Sequence, residues 1–163
     1  MEQRTLILVR HSDARPGGPR DELRDLTPSG AMRALELGRM LAPVSGAVDL
    51  ALVSPALRAR RTFEGIARAL SVSQSLTHSA LYLEGARSLL ADARALDAGT
   101  LLVVGHEPTI SQAGLLLGDE EAKALLARGM PTASALVIRY PSALEAFEGA
   151  GLGVEMLIAP RFE

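Results

Sequence analysis

Two histidines in this chain each follow directly on an apolar run. "TLILVRHSDA" passes from Leu6–Val9 into Arg10 and His11, with Ser12 and Asp13 next. "TLLVVGHEP" passes from Thr100–Val104 into Gly105, His106 and Glu107. A third apolar run, "DLALV", ends at Ser54-Pro55, and Arg58 lies about one helical turn further on. One histidine in such a place is ordinarily a solvated loop residue. Two of them, joined by two arginines, make a set. Imidazole can act as nucleophile or proton donor near neutral pH. A guanidinium fork matches the oxygens of a phosphoryl group. The set therefore reads as a site for an anion such as phosphate.

Other chemistries fit less well. The chain has three histidines and no cysteine, with no HExxH or similar spacing, so a metal site is disfavoured. Asp13 or Glu107 could join His11 and His106 around an ion, but Arg10 and Arg58 would repel it. "RPGGPR" is not a GxGxxG turn and sits in a long loop. The GxSxG elbow of serine hydrolases is absent. No cofactor and no metal are expected. The third histidine, His78, lies away from any strong strand end and reads as surface, as do Arg60 and Arg61.

The elements that must position these residues alternate. Strands are expected at Leu6–Val9, Asp49–Val53 and Thr100–Val104, with a weak edge strand near Ser75–Thr77 and two late strands in "SALVIRY" and "GVEMLIA". Helices are expected from Thr27-Pro28 to Leu41, from Ser54-Pro55 to about Leu70, over "ARSLLADARAL", from Pro108 or Thr109 to Leu117, and over Glu120–Ala127. The Ser-Pro and Thr-Pro pairs supply an N-cap followed by a proline at the first helical position. Alternation of strand and helix implies a mainly parallel sheet with helices on both faces, a three-layer α/β/α sandwich. Its strands are buried on both sides, which accounts for the continuous apolar runs. In such folds ligands bind beyond the carboxyl ends of the strands, where Arg10, His11, Ser54, Arg58 and His106 stand.

At 163 residues, one domain spanning 1–163 is expected. Aromatics are only 3%, so the core must be aliphatic. A net charge of −2 without a basic block argues against nucleic-acid binding. No apolar stretch approaches the ~20 residues of a membrane span, and "LILV" is too short for a signal peptide. A cytoplasmic protein with no membrane partner is expected.

Four motifs, in order, resemble those of the histidine phosphatase superfamily, the phosphoglycerate mutase-like proteins. "LVRHSDA" resembles the RHG signature, and "LTPSGAMRALELGRML" the LTxxGxxQAxxLAxxL helix. "VSPALRARRTFEGIA" is similar to SPxxRAxxTAE, and "LLVVGHEPTIS" to the GHxP motif of the second histidine. The short form without a lid insertion is most similar to the SixA-type phosphohistidine phosphatases. The resemblance implies that His11 is the nucleophile, that Arg10 and Arg58 clamp the phosphoryl group, and that His106 donates a hydrogen bond to it. Ser12 stands where the signature has glycine, and its hydroxyl is expected to add a donor to the substrate. The acidic proton donor of the larger enzymes has no clear equivalent. Glu107 is preferred over Glu84 for that role because it adjoins His106.

The implied function is a metal-independent phosphatase acting through a phosphohistidine intermediate. Its implied partner is a protein carrying phosphohistidine. The alternatives are a small phosphomonoester substrate, mutase activity, and a catalytically inactive phosphate-binding protein. The Gly/Pro-rich loop Ser12–Leu26 is expected to rim an open, shallow site without roofing it.

Overall fold

The computed structural model describes residues 2–162. Its strands are β1 (Gln3–Arg10), β2 (Val48–Val53), β3 (Val72–Thr77), β4 (Thr100–Gly105), β5 (Ser134–Pro141) and β6 (Val154–Ile158). Its helices are α1 (Pro28–Ser45), α2 (Leu57–Ala67), α3 (Ala80–Leu83), α4 (Ala86–Leu96), α5 (Thr109–Leu117) and α6 (Glu120–Leu125), with one 3-10 turn at Asp21–Leu23. Six strands form one sheet in the order β3-β2-β4-β1-β5-β6. The first four in that order run parallel, whereas β5 is antiparallel to β1 and β6 antiparallel to β5. The chain thus has the mainly parallel α/β/α architecture implied by its alternating pattern.

Successive strand residues divide between two apolar layers. Leu6, Leu8, Leu52, Leu101 and Val103 pack with Leu89 and Leu90 of α4 and Ile110 and Leu117 of α5. Ile7, Val9, Ala51, Leu102 and Val104 pack with Leu37 and Leu41 of α1 and Ile66 of α2. Leu6 to Val9 are all at most 1% exposed. Burying each such aliphatic side chain contributes about 1.5–3 kcal/mol, so β1 is a rigid mount. The site is carried by three neighbouring strands in register: Val9 pairs with Val104, which pairs with Val53. Past that level His11 N–H donates to the Gly105 carbonyl (3.1 Å) and Ser54 N–H to the Val104 carbonyl (3.1 Å). The ends of β1, β2 and β4 are therefore laced together where the sequence places its histidines and arginines.

Three local expectations are corrected. Helix α2 begins at Leu57 after Ala56, not at Ser54-Pro55, because the Ser54 hydroxyl is engaged across the sheet instead of capping the helix. Helix α1 continues past Leu41 to Ser45 through Pro43. A short helix, α3, stands between the edge strand and α4 where none was expected. Thr27 does cap α1, accepting from Gly30 N–H at 3.0 Å. Gly30 itself must be glycine: a Cβ there would lie 2.2 Å from the Asp13 carbonyl oxygen. The helix start thereby lies directly against the loop that leaves His11. No helix among the described residues is long and apolar enough to cross a membrane.

Candidate active site

His11 and His106 face each other at the carboxyl edge of β1 and β4, with ring centroids 5.3 Å apart and planes tilted by 57°. His11 Nδ1 lies 2.7 Å from the Ser12 carbonyl oxygen. A carbonyl only accepts, so Nδ1 carries the proton and Nε2 keeps its lone pair. His106 is arranged the other way round. Its Nε2 lies 2.7 Å from Ser54 Oγ, while its Nδ1 is buried without a partner among the described residues. Ser54 Oγ accepts from Ala56 N–H (3.3 Å), and its own proton has no other acceptor. The Ser54 hydroxyl therefore donates to the His106 Nε2 lone pair, which leaves the ring proton at Nδ1. One ring offers a lone pair and the other an N–H.

Both rings are held neutral at pH 7. Burial lowers the His11 pKa to about 4; the bond to the Ser12 carbonyl opposes this, and the charges of Arg58, Arg10 and Arg24 add to it. Burial likewise lowers His106 to about 4, helped by His11 and Arg58 and opposed by Asp21. A neutral imidazole between fixed cations is what nucleophilic attack on an anionic phosphoryl group requires.

The two arginines are anchored differently. Arg10 donates through Nη1 to the Met130 carbonyl (2.7 Å). Arg58, only 7% exposed, donates Nη1 to the Asp21 carbonyl and Nη2 to Asp21 Oδ2, both at 2.9 Å. Asp21 also accepts from Arg24 Nη1 (3.1 Å) and from the Tyr82 hydroxyl. The Tyr82 ring stands 5.4 Å from that of His106, and the Arg58 guanidinium 5.9 Å from the Tyr82 centroid. Asp21, Arg24 and Tyr82 thus join the candidate site without having been singled out in the sequence, and Ser54, placed there as a strand end, joins it through its bond to His106. The Ser12–Leu26 loop brings Asp21 onto Arg58.

Two expected members lie elsewhere. Ser12 is fully buried; its hydroxyl donates to the Gly30 carbonyl (2.8 Å) and its N–H to Thr62 Oγ1 (2.9 Å). It pins the end of β1 to α1 and α2 and does not reach a ligand. Glu107 accepts from Ser111 N–H through one oxygen (2.8 Å) and from Met130 N–H through the other (3.0 Å). Its carboxylate is engaged by the backbone on both oxygens, where it braces the loop whose Met130 carbonyl holds Arg10. Glu84 accepts from the Ser88 hydroxyl at the start of α4. His78 pairs with Asp92 at 2.7 Å, half-buried at the end of β3. Among the described residues no three His, Cys, Asp or Glu side chains gather as a metal-ligand set.

A buried ion pair fixes the surrounding loops. Arg33, 1% exposed, reaches Asp13 (2.9 Å), Thr132 Oγ1 and carbonyl (both 3.0 Å) and the Ala159 carbonyl (2.9 Å). Burial works against the Asp13 anion, but hydrogen bonds from Thr132 and Arg33 hold its carboxyl below the usual range. The Ala133 N–H closes the circle on the His11 carbonyl (3.1 Å).

No family model and no curated protein sequence matches the chain. Solved structures do. The candidate phosphohistidine phosphatase SixA from Nakamurella multipartitia is 30% identical, with a TM-score of 0.72 over 97% of this chain and 95% of that one. The candidate SixA from Agrobacterium tumefaciens is 27% identical, with a TM-score of 0.75 over 83% and 91%. A protein histidine phosphatase SixA complexed with tungstate shares the fold at 21% identity, with a TM-score of 0.76 over 93% and 94%.

Proposed function

The chain belongs to the histidine phosphatase superfamily, the phosphoglycerate mutase-like enzymes, and on that premise we propose that this phosphatase cleaves phosphohistidine on a protein through a phosphorylated His11. The observation that carries the reading is the opposed protonation of two neutral imidazoles 5.3 Å apart, with Arg10 and Arg58 beside them. The His11 Nε2 lone pair attacks phosphorus, and the bond to the leaving group breaks with its electron pair. Arg10, Arg58 and the His106 Nδ1–H stabilise the charge on the equatorial oxygens. Each oriented donor contributes about 3 kcal/mol at the transition state. The departing imidazole takes a proton from solvent; water then attacks the phosphohistidine, gives one proton back to solvent and leaves as inorganic phosphate, and the N–P electron pair returns to His11 Nε2.

The protein substrate rests on the leaving group. Both Glu107 oxygens are committed to backbone N–H groups, so no free acid adjoins His106. A phosphohistidine substrate lessens that need, since its departing imidazole is readily protonated. Metal independence follows from the same charges, because Arg10 and Arg58 already neutralise the phosphoryl group.

A substrate panel tests the reading: a phosphohistidine protein, an aryl phosphate, sugar phosphates and phosphoglycerate, each with and without chelator. The phosphohistidine protein should have the highest kcat/KM, and chelator should change nothing. A small metabolite preferred by tenfold, about 1.4 kcal/mol, would replace the protein substrate with a small phosphomonoester. Loss of turnover on chelation, restored by a divalent ion, would remove metal independence.

A further inference from the structure

The two clamping arginines differ in what they hold. Arg10 is tied to a backbone carbonyl, that of Met130. Among the described residues Arg58 finds its hydrogen-bond acceptors in Asp21, at the tip of the Ser12–Leu26 loop, which is seated by four donors: two from Arg58, one from Arg24 and one from Tyr82. Two guanidinium groups and a phenol are the donor set of an oxyanion site. Here the Asp21 carboxylate takes three of the four donors and its backbone carbonyl the fourth.

We propose that Asp21 is an internal competitor for the phosphoryl site, occupying Arg58 in the resting enzyme until a dianionic phosphoryl group displaces it together with its turn. The inference rests on the reading of Arg58 as a phosphoryl clamp. Those hydrogen bonds, and not burial, hold the turn. None of Asp21–Leu23 is buried, and Leu23 is 54% exposed. The loop is stapled at its base by Arg15 N–H on the Asp25 carbonyl (2.8 Å) and Thr27 N–H on the Asp13 carbonyl (3.0 Å), which leaves the tip free to swing. On its far side Gly17 and Gly18 take positive φ with open space around them. The Asp21–Arg58 pair joins a buried guanidinium to a carboxylate that is 49% exposed, and such half-wet pairs exchange readily with solvent and other anions. Hydrogen bonds from Tyr82, Arg24 and Arg58 keep the Asp21 carboxyl well below the usual range, so it remains an anion at any working pH.

The consequence is selectivity. A phosphoryl dianion with three terminal oxygens can outcompete a carboxylate for the fork. A carboxylate or sulfate monoester offers no gain over what is already there. The apparent affinity for phosphate is reduced by the fraction of molecules with Asp21 seated.

The test is calorimetric titration of inorganic phosphate, at mildly alkaline pH, into the full chain and its variants. Asp21→Asn should tighten phosphate binding by about tenfold. Glu22→Gln removes the same charge from the same turn without freeing Arg58, and should change binding less than twofold. Tyr82→Phe, which removes one of the donors seating Asp21, should tighten binding by a smaller factor. Unchanged or weaker binding in Asp21→Asn overturns the proposal and makes Asp21 a positioning residue for Arg58. Equal tightening in Asp21→Asn and Glu22→Gln also overturns it, leaving only a long-range field. If no variant binds phosphate, Arg58 is not a clamp and the proposal falls. Turnover of an aryl phosphate by the unmodified chain is read separately: its absence counts against the proposed function, while the binding series still decides the role of Asp21.

Discussion

The ends of β1 and β4 carry the same side chain in nearly the same setting. Both His11 and His106 follow a buried strand, both are partly buried, and both have a pKa lowered to about 4. They differ in what holds the second ring nitrogen. A backbone carbonyl accepts a hydrogen bond from His11 Nδ1–H, while a serine hydroxyl donates one to His106 Nε2. The first arrangement leaves a lone pair on the remaining ring nitrogen and the second an N–H. Residue type and burial therefore do not decide the role of a histidine; the partner on its far nitrogen does. The difference also explains why the two positions should respond differently to substitution.

The largest effect is expected at His11. His11→Asn should reduce kcat by on the order of 10⁴-fold or more, as loss of a nucleophile does elsewhere. Rapid quench with labelled substrate should trap an acid-labile, base-stable adduct on His11 in the unmodified enzyme. An adduct on His106 would reverse the comparison. His106→Ala should cost less, about 10²–10³-fold, and should still form the adduct on His11, only slowly.

The shared feature of the two rings gives a pH prediction. Each must be neutral, so kcat/KM, corrected for the substrate's own second ionisation at about pH 6, should hold from pH 7 down to about 4 and fall only below it. A fall beginning near 6.5 beyond that correction would mean that burial and the arginines do not depress these groups. Stability has the same sign. In the unfolded chain both histidines bind protons near 6.5, whereas in the folded chain they stay neutral to about 4. Their contribution is complete above the unfolded value and is lost as pH falls from 6.5 toward 4. Urea melts across that window should show a declining midpoint, and His11→Asn should flatten the decline.

Much of this was legible in the residues. "LILV" and "LLVV" are continuous apolar runs because the central parallel strands are covered on both faces, and helix α4 coincides with "ARSLLADARAL". Arg10, His11 and His106 could be placed together because each stands at or just past the carboxyl end of a parallel strand. What was not legible depended on contacts between distant residues. Ser54 precedes a proline and reads as a helix cap, but its hydroxyl crosses to a residue 52 positions away. Asp21 and Tyr82 meet across 61 positions, from a loop and a four-residue helix that have no periodicity to betray them. Ser12 looked like an extra donor because the signature puts its position beside the nucleophile. In the fold its side chain turns inward, toward the Gly30 carbonyl.

Ser54 sharpens the comparison at its weaker side. Ser54→Ala removes the proton that fixes the His106 tautomer. Turnover should drop by about tenfold, the worth of one hydrogen bond of ~1.4 kcal/mol, and Ser54→Thr should restore it. Nitrogen NMR of the ring distinguishes this from a packing defect: His106 should be protonated at Nδ1 in the unmodified protein and shift toward the other tautomer in Ser54→Ala. An unchanged tautomer would deny Ser54 its positioning role.

The smallest effect is expected at Glu107, the residue beside the second histidine. Its two oxygens each accept one backbone N–H, from Ser111 and Met130. Glu107→Gln keeps one acceptor oxygen and turns an amide NH₂ toward the other N–H, which should cost about 1–3 kcal/mol and lower Tm by roughly 2–4 °C for each kcal/mol. Because the Met130 carbonyl anchors Arg10, a modest loss of kcat should accompany it. That loss should be equal for an alkyl phosphate, whose leaving group needs a proton, and an aryl phosphate, whose leaving group does not. If the alkyl substrate instead slows tenfold more than the aryl one, Glu107 delivers the leaving-group proton. The β4 end would then supply both the hydrogen bond and the acid, and the division of labour between the two strand ends would have to be redrawn.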